Sequence, residues 1–322
     1  MLVILTRPPK IFFTGALLYF VKWGLKTLLG KQRGADVVFA SLKRDLNLRG
    51  INYKLNKTPE AGDTLHVISN IEALKWAIDF KQTTSTTKTR LIAGPNLVII
   101  PTDNDSILAS SEIDKIILNS EWTKEFYSRE LRTVKDKISI WPAGVVIPEM
   151  SLQGRMSEKL EKDICLLFIK SVPREIEEKA IQGLAEKKIP TNVIRYGHYK
   201  QIDYFEALTK STFMIYLQEV ESQGIALQEA WARNIPTLIW NKGSFTYPTG
   251  QVVTGNIASP FLNPASGMFF EGERDFKQKL EIFLTSMHAG TFTPRQYCID
   301  NLSDNASAEI YVKILESLTK LS

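Results

Sequence analysis

Short apolar runs separated by amphipathic stretches set the rhythm of this chain. Met1–Leu5, Ile51–Leu55, Thr64–Ser69, Arg90–Ala93, Lys115–Leu118 and Lys137–Trp141 read as strands, with the length and residue content of buried ones. Helical spacing appears between them, over Ile71–Lys81 and over Glu121–Arg132, which has Asn119-Ser120 as its start signal. The Thr/Lys-rich piece Gln82–Thr89 reads as a loop. A polar segment near 147–162, rich in Glu, Lys and Ser, interrupts the pattern. It then restarts with strands Asp163–Ile169, Thr191–Tyr196, Phe213–Leu217 and Thr237–Trp240. Helices Arg174–Lys187, Gln201–Lys210, Ile225–Asn234 and Glu273–Ser286 go with these strands, and Pro294–Leu302 and Ala306–Leu318 finish the chain. Strand–helix alternation of this kind predicts an α/β protein with parallel sheets and helices on both faces. The polar break divides it into residues 1–146, a linker 147–162, and residues 163–322.

One apolar stretch does not fit a strand. Residues 11–29, IFFTGALLYFVKWGLKTLL, are the most hydrophobic part of the chain, yet Lys22 and Lys26 leave the uninterrupted run too short for a bilayer span. A signal peptide is disfavoured because the lysines follow the apolar core and no small-residue cleavage site is evident. Two readings stand: a core helix with a basic edge, or a surface helix docking on anionic lipid through Phe12, Phe13, Tyr19, Phe20 and Trp23. The whole chain of 322 residues carries 40 basic against 35 acidic side chains, a net +5. That mild excess suits anionic partners such as nucleotide-sugars, lipid phosphates or a membrane surface, and no nucleic-acid motif accompanies it. Hydrophobic residues make up 44%, which argues for globular cores. With Cys165 and Cys298 the only cysteines, neither a disulfide framework nor a four-cysteine zinc site can form, and a reducing, cytoplasmic setting is the default.

The candidate chemistry lies in Phe213–Asn241, FMIYLQEVESQGIALQEAWARNIPTLIWN. Strand, polar turn, helix and second strand make a βαβ unit, in which ligands bind beyond the carboxyl ends of the strands. Glu221 lies in the turn and Glu229 in the helix, on the face of Ile225 and Arg233. The plain account of these acids is an i,i+4 pair of Glu229 with Arg233 on a solvated face, with Glu221 an acid near a helix N-terminus. The functional account is that Gly224 and its neighbours present backbone N–H groups to a diphosphate or sugar at that helix start. Glu229 would then accept hydrogen bonds from vicinal hydroxyls.

The order E-S-Q-G-I-A-L-Q-E-A-W-A followed by P-T-L-I-W resembles the E-x7-E signature of the retaining, family-four-type glycosyltransferases of GT-B fold. Glu221, Gly224, Glu229, Ala230 and Ala232 match in place, while Ser222 and Gln223 replace the usual glycine and aromatic residue. Leu217 and Gln218 stand where the family has proline-serine. The run I-S-I-W-P-A-G-V at 138–145 resembles the end of the same family's first domain. The resemblance implies a GT-B fold, two Rossmann-like domains with parallel sheets facing a central cleft. The acceptor would lie on the first domain and the donor nucleotide-sugar on the second, with the last helix crossing back to the first. It gives Glu229 the ribose, and Ser222, Gln223, Gly224 and Ile225 the donor sugar and diphosphate. The catalytic set would be Glu221, reaching the donor-sugar hydroxyls, with Lys170 and Arg174 at the diphosphate, where negative charge grows as the glycosidic bond breaks.

Each remaining candidate has an ordinary alternative. Lys170 can simply end a strand, and Arg174 can face solvent on a helix's first turn. Gly197 and His198 end a strand at the presumed cleft, within reach of the nucleotide, though structural roles are commoner there. In the first domain Asn70, Gly94, Asn96 and Gly144 also fall at strand ends, suited to an acceptor hydroxyl but equally to caps and turns. His66, His198 and His288 lack metal-ligand spacing, so no metal and no cofactor are expected. The function predicted is transfer of a hexose-type sugar from a nucleotide-sugar to a glycan or lipid-linked acceptor, with retention and with possible membrane contact through 11–29. A nucleotide-sugar epimerase and a non-catalytic glycan- or membrane-binding protein are the rivals.

Overall fold

A strand buried on both faces is apolar at nearly every position, and Leu2–Leu5 with the body of Cys165–Ser171 and of Phe213–Gln218 follows that rule. The computed structural model describes residues 1–9, 34–84, 88–149 and 163–319. The chain divides into two units, Met1–Gly144 with Asp304–Ser322, and Val145–Ser303. The segment 11–29 and most of the polar break, 150–162, lie outside the described residues.

The first unit is a parallel sheet in the order β2-β1-β3-β4-β5-β6. Its strands are β1 (Leu2–Leu5), β2 (Tyr53–Leu55), β3 (Thr64–Val67), β4 (Arg90–Ala93), β5 (Lys115–Leu118) and β6 (Ile138–Ile140). Edge strand β2 is short and only partly buried, whereas β1 is buried at all four positions. Helices α1 (Gly34–Leu48), α2 (Ile71–Thr84) and α3 (Glu121–Glu130) pack in this unit. Helix α3 ends before Arg132, and the chain there tightens into a 3-10 turn, Arg132–Lys137, before β6.

In the second unit the order is β13-β10-β9-β7-β8, again all parallel. Strands β7 (Cys165–Ser171), β8 (Thr191–Arg195), β9 (Phe213–Gln218), β10 (Thr237–Trp240) and β13 (Gly267–Phe270) alternate with α4 (Arg174–Glu186), α5 (Gln201–Thr209), α6 (Ile225–Ala232) and α7 (Glu273–His288). A small antiparallel hairpin, β11 (Ser244–Thr246) with β12 (Val252–Thr254), follows β10. The period-2 rule sorts the apolar runs onto two faces. Leu166, Phe168, Met214, Tyr216 and Ile239 meet Leu227 and Trp231 of α6 on one side. Leu167, Ile169, Ile215, Leu217 and Leu238 meet Phe276, Leu280 and Phe283 of α7 on the other. Each such side chain contributes about 1.5–3 kcal/mol when removed from water. Asn234, at φ 63°, closes the turn after α6, which ends at Ala232, short of the Asn234 read from the sequence.

Helices α8 (Pro294–Leu302) and α9 (Asp304–Thr319) complete the chain. Helix α8 stays with the second unit, and α9 packs on α1 of the first. Arg44 of α1 donates from Nε to Asp304 Oδ2 at 2.7 Å and from Nη2 to Oδ1 at 2.9 Å, at the start of α9. Among the described residues no helix is long and apolar enough to cross a membrane.

Numbered within the second unit, the strand order is 2-1-3-4-5. A doubly wound sheet of that order opens a crevice where the winding direction reverses, between its first and third strands at their carboxyl ends. In this unit those are β7 and β9.

Candidate functional site

Strand β7 ends in Lys170-Ser171 and its neighbour β9 ends in Gln218, with Ser171 in register with Gln218. The turn that follows β9 is pinned from behind, since the Glu221 backbone N–H donates to Ile257 O at 2.7 Å. Gly224 closes the turn in the left-handed region, at φ 80° and ψ 53°, and is the N-cap of α6. A side chain is disfavoured there, and an added Cβ would also lie 3.2 Å from Leu227 Cδ1. Glycine thus lets the chain turn sharply into the helix, leaving the first amides of α6 at the carboxyl edge of the sheet.

At this edge the structure brings Lys170 and Glu221 together. The Lys170 ammonium lies 2.6 Å from Glu221 Oε1. The phenol of Tyr216 donates to the same oxygen at 2.6 Å. Glu221 is only 8% exposed, so these partners stand where water would otherwise be needed. Burial, reinforced by the nearby Glu221 charge, raises the Tyr216 phenol well above its ordinary pKa, which keeps it a neutral donor. Lys170 also sits over the ring of Tyr196, 4.7 Å from its centroid, a cation–π contact. A lysine, a buried carboxylate and two tyrosines therefore line the crevice at the end of β7 and β9.

Glu229 lies one helix further in and is half-buried. Its two carboxylate oxygens accept from Nε2 of Gln201, at 3.0 and 3.1 Å. The i,i+4 partner Arg233 donates from Nη1 to the Glu229 backbone carbonyl at 3.0 Å, and its guanidinium stacks over Phe205 at 4.1 Å. Burial lowers the Arg233 pKa, and the charge of Glu229 works against that shift. Tyr199 joins the two acids electrostatically: burial first, then Glu229, Tyr196 and Glu221, push its phenol upward. Tyr199 packs edge-on against Phe168 at 5.7 Å. Together with His198 it lines an open groove of about 630 Å³ along β8 and α5.

The other sequence candidates are placed as follows. Arg174 is turned to solvent, its side chain 87% exposed, and pairs with Glu178 at 2.7 Å on its own helix, the ordinary fate of a charged first-turn residue. Ser222 is exposed and Ile225 half-buried. Gln223 is buried, donating from Nε2 to Gln228 Oε1 at 2.9 Å, so the position that is aromatic in the resembling family here belongs to a buried amide pair. Gly197, at φ 81°, and His198 form an exposed turn after β8.

In the first unit each of the four candidates makes a close contact within the fold. Asn70 caps α2 by accepting the Ala73 N–H at 2.8 Å. The Gly94 carbonyl accepts from His66 Nε2 at 2.6 Å, and an added Cβ would fall 2.2 Å from Ile117 O. Asn96 accepts from Asn119 Nδ2 at 3.3 Å. Gly144 is pressed against α9, where a Cβ would meet Asp304 Cα at 2.6 Å. The reason is common to all four: strand ends are also where a doubly wound domain turns and caps. Among the described residues no group of three or more His, Cys, Asp or Glu is arranged to hold a metal ion.

Tyr196, Tyr199, Gln201 and Tyr216 were not singled out from the sequence. Tyr216 carries the only available signal, a hydroxyl inside an otherwise apolar strand.

No protein-family model matches the chain, and no curated protein matches it by sequence. Among solved structures it is similar to a lipopolysaccharide outer core galactosyltransferase, WaaB, in its apo form, with TM-score 0.54 and 11% identity over 98% of this chain and 99% of that one. The catalytic domain of starch synthase IV from Arabidopsis thaliana, bound to ADP and acarbose, gives TM-score 0.51 and 10% identity over 87% of this chain and 76% of that one. A GtfA/B complex gives TM-score 0.53 and 12% identity over 80% of this chain, which spans 58% of that longer one. The fold is thus that of the GT-B glycosyltransferases.

Proposed function

We propose that this protein is a glycosyltransferase that moves a hexose-type sugar from a nucleotide-sugar to a glycan or lipid-linked acceptor with retention at the anomeric carbon. The observation that carries the reading is the group formed by Lys170, Glu221 and Tyr216 at the reversal of the second sheet, one turn before a helix N-terminus that holds Glu229.

In this reading the first amides of α6 and the Lys170 ammonium receive the diphosphate. As the bond from the anomeric carbon to phosphate oxygen breaks, negative charge gathers on the leaving group, and a fixed ammonium beside it lowers that barrier. Glu221 holds Lys170 in place and faces the sugar hydroxyls, while Glu229 takes the ribose diol and the base enters the groove of His198 and Tyr199. Arg174 has no part in this assignment, because it is committed to Glu178 on an exposed face. Lys170 supplies the charge that a divalent cation provides in other sites, so turnover is expected to survive chelation with EDTA. Contact with lipid through 11–29 belongs to the same proposal, and cosedimentation with anionic vesicles tests it.

The decisive experiment is calorimetry or thermal shift against ADP, UDP, GDP and their hexose conjugates, since a ligand of the native state raises apparent stability. The Glu229→Ala variant should lose nucleotide affinity about tenfold or more, the value of a charge-assisted hydrogen bond or two. Lys170→Ala should lose turnover more than binding. A wild-type protein that no nucleotide stabilises would overturn the reading.

A further inference from the structure

A strand at the end of a sheet leaves half of its backbone groups unmatched, and a protein that stays single blunts such an edge with brevity, charge or proline. The second sheet ends at β8, with no described strand beyond it. The Cys165 N–H donates to Pro190 O at 2.9 Å and the Tyr196 N–H to Ile169 O at 2.8 Å, so the even-numbered residues of this segment serve the ladder with β7. Alternate residues of a parallel ladder bond to opposite sides, and the amides and carbonyls of Thr191, Val193 and Arg195 therefore point away from β7. With five residues β8 is longer than the other edge strands, β2 and β6 with three each and β13 with four. It contains neither proline nor lysine. Its one charged side chain, Arg195, is tied to α4, with Nη1 donating to Glu177 Oε2 at 3.1 Å. On that same face Val193 is 49% exposed, and Ile181, one turn after Glu177 on α4, is 43% exposed.

We propose that β8 pairs with β8 of a second copy of this chain, antiparallel about a two-fold axis at Val193, joining two five-stranded sheets into one. The outward groups are disposed symmetrically about Val193. Rotation about that axis sets Val193 against its counterpart and Thr191 against Arg195 of the copy, and each outward N–H then meets a C=O. The Arg195 carbonyl also accepts from the His198 N–H at 3.0 Å, which leaves its second lone pair for the copy. Valine meets valine across the axis, and threonine meets an arginine whose charge Glu177 already answers. On the opposite face Asp203, Glu206, Ala207 and Lys210 line the groove beside β8. Because α5 runs back along the strand, Asp203 lies toward the carboxyl end of β8 and Lys210 toward its amino end. The two-fold axis reverses that row and brings Lys210 of each copy to Asp203 of the other. Two opposite-charge meetings then outweigh one like pair at Glu206. A strand of unrelated sequence carries no such matching row, whereas a second copy carries it by symmetry. The turn at Gly197 and His198 lies past the paired residues, and the inference stands apart from the assignment of any donor-binding residue.

The test is light scattering and sedimentation velocity on the full-length protein between about 1 and 100 µM, where a concentration-dependent dimer is expected. Val193→Lys sets like charges on the axis and should raise the dimer dissociation constant about tenfold or more, with the far-ultraviolet circular dichroism unchanged. Lys210→Glu should raise it about threefold at low salt and less in about 0.5 M NaCl. If Val193→Lys does not fold, hydrogen exchange on the wild type takes its place. The amides of Thr191, Val193 and Arg195 should then exchange about tenfold more slowly at dimeric than at monomeric concentration. A wild type that stays monomeric overturns the proposal and leaves the edge to a partner of other sequence. A dimer that forms undiminished in folded Val193→Lys, or that leaves those three amides unprotected, overturns β8 as its surface.

Discussion

Burying a carboxylate costs free energy unless its oxygens are met, and Glu221 Oε1 is met twice, by Lys170 and by Tyr216. Replacing Tyr216 by Phe removes a donor from a buried acceptor without changing the ring. We expect a loss of about 1–3 kcal/mol in urea unfolding, together with reduced turnover because Glu221 Oε1 then lacks the phenol donor. A second residue-scale outcome concerns pH. His66 is fully buried between Tyr311 and the Gly94 carbonyl, and burial lowers its pKa to about 4. The unfolded chain therefore binds a proton at His66 more readily between pH 6.5 and 4, and this residue withdraws stability as pH falls through that window. Asp45 acts in the opposite sense. Burial raises its carboxyl to about 7, with a hydrogen bond from Ser307 working against the shift. Its folded form takes up a proton below pH 7, so Asp45 adds stability as pH falls toward 4. The two largely offset each other. The Asp45→Asn variant should show a steeper acid loss of stability between pH 6.5 and 4 than wild type, read from unfolding midpoints across that range.

At the scale of elements, runs buried on both faces were legible because they are uniformly apolar, and β1, β7, β9 and β10 fall where the pattern put them. The hairpin β11–β12 was not: its six residues are mostly half-exposed or exposed, so no apolar run marks it. Helix α1 escaped notice for a related reason, since its buried stripe includes Ser41 and Asp45 alongside Val38, Leu42 and Leu46. In the site, the turn carrying Glu221 and the helix carrying Glu229 were readable from the order of residues within one stretch. Gln201, Tyr196 and Tyr199 were not, because their partners lie tens of residues away in the chain and spacing gives no hint of them. At Gly144 the missing Cβ makes room for Asp304 Cα. Gly144→Ala should cost about 1–3 kcal/mol by overpacking the start of α9, measured as a lowered midpoint of unfolding.

For the whole molecule, the sequence break near 147–162 lies between two parallel sheets, each with its winding reversed. The tail reads as two helices, Pro294–Leu302 and Ala306–Leu318, and the second crossing of the chain between units falls between them. The crossing is at Ser303–Asp304. It is fixed by Arg44 of the first unit, whose guanidinium grips the Asp304 side chain while its Nη2 also donates to the Gly144 carbonyl at 3.3 Å.

The return of α9 carries a topological consequence. Val145 pairs with Ser303 in a parallel bridge and donates to Leu302 O at 3.0 Å, so the segment between them begins and ends at a single seam. The second unit is thus an insert spliced into the first, whose own amino- and carboxyl-terminal pieces are each incomplete. A ribosome finishes the inserted piece before it has made α9, and removing the residues from Asp304 onward strips the cover from α1 while the inserted sheet keeps every strand it has.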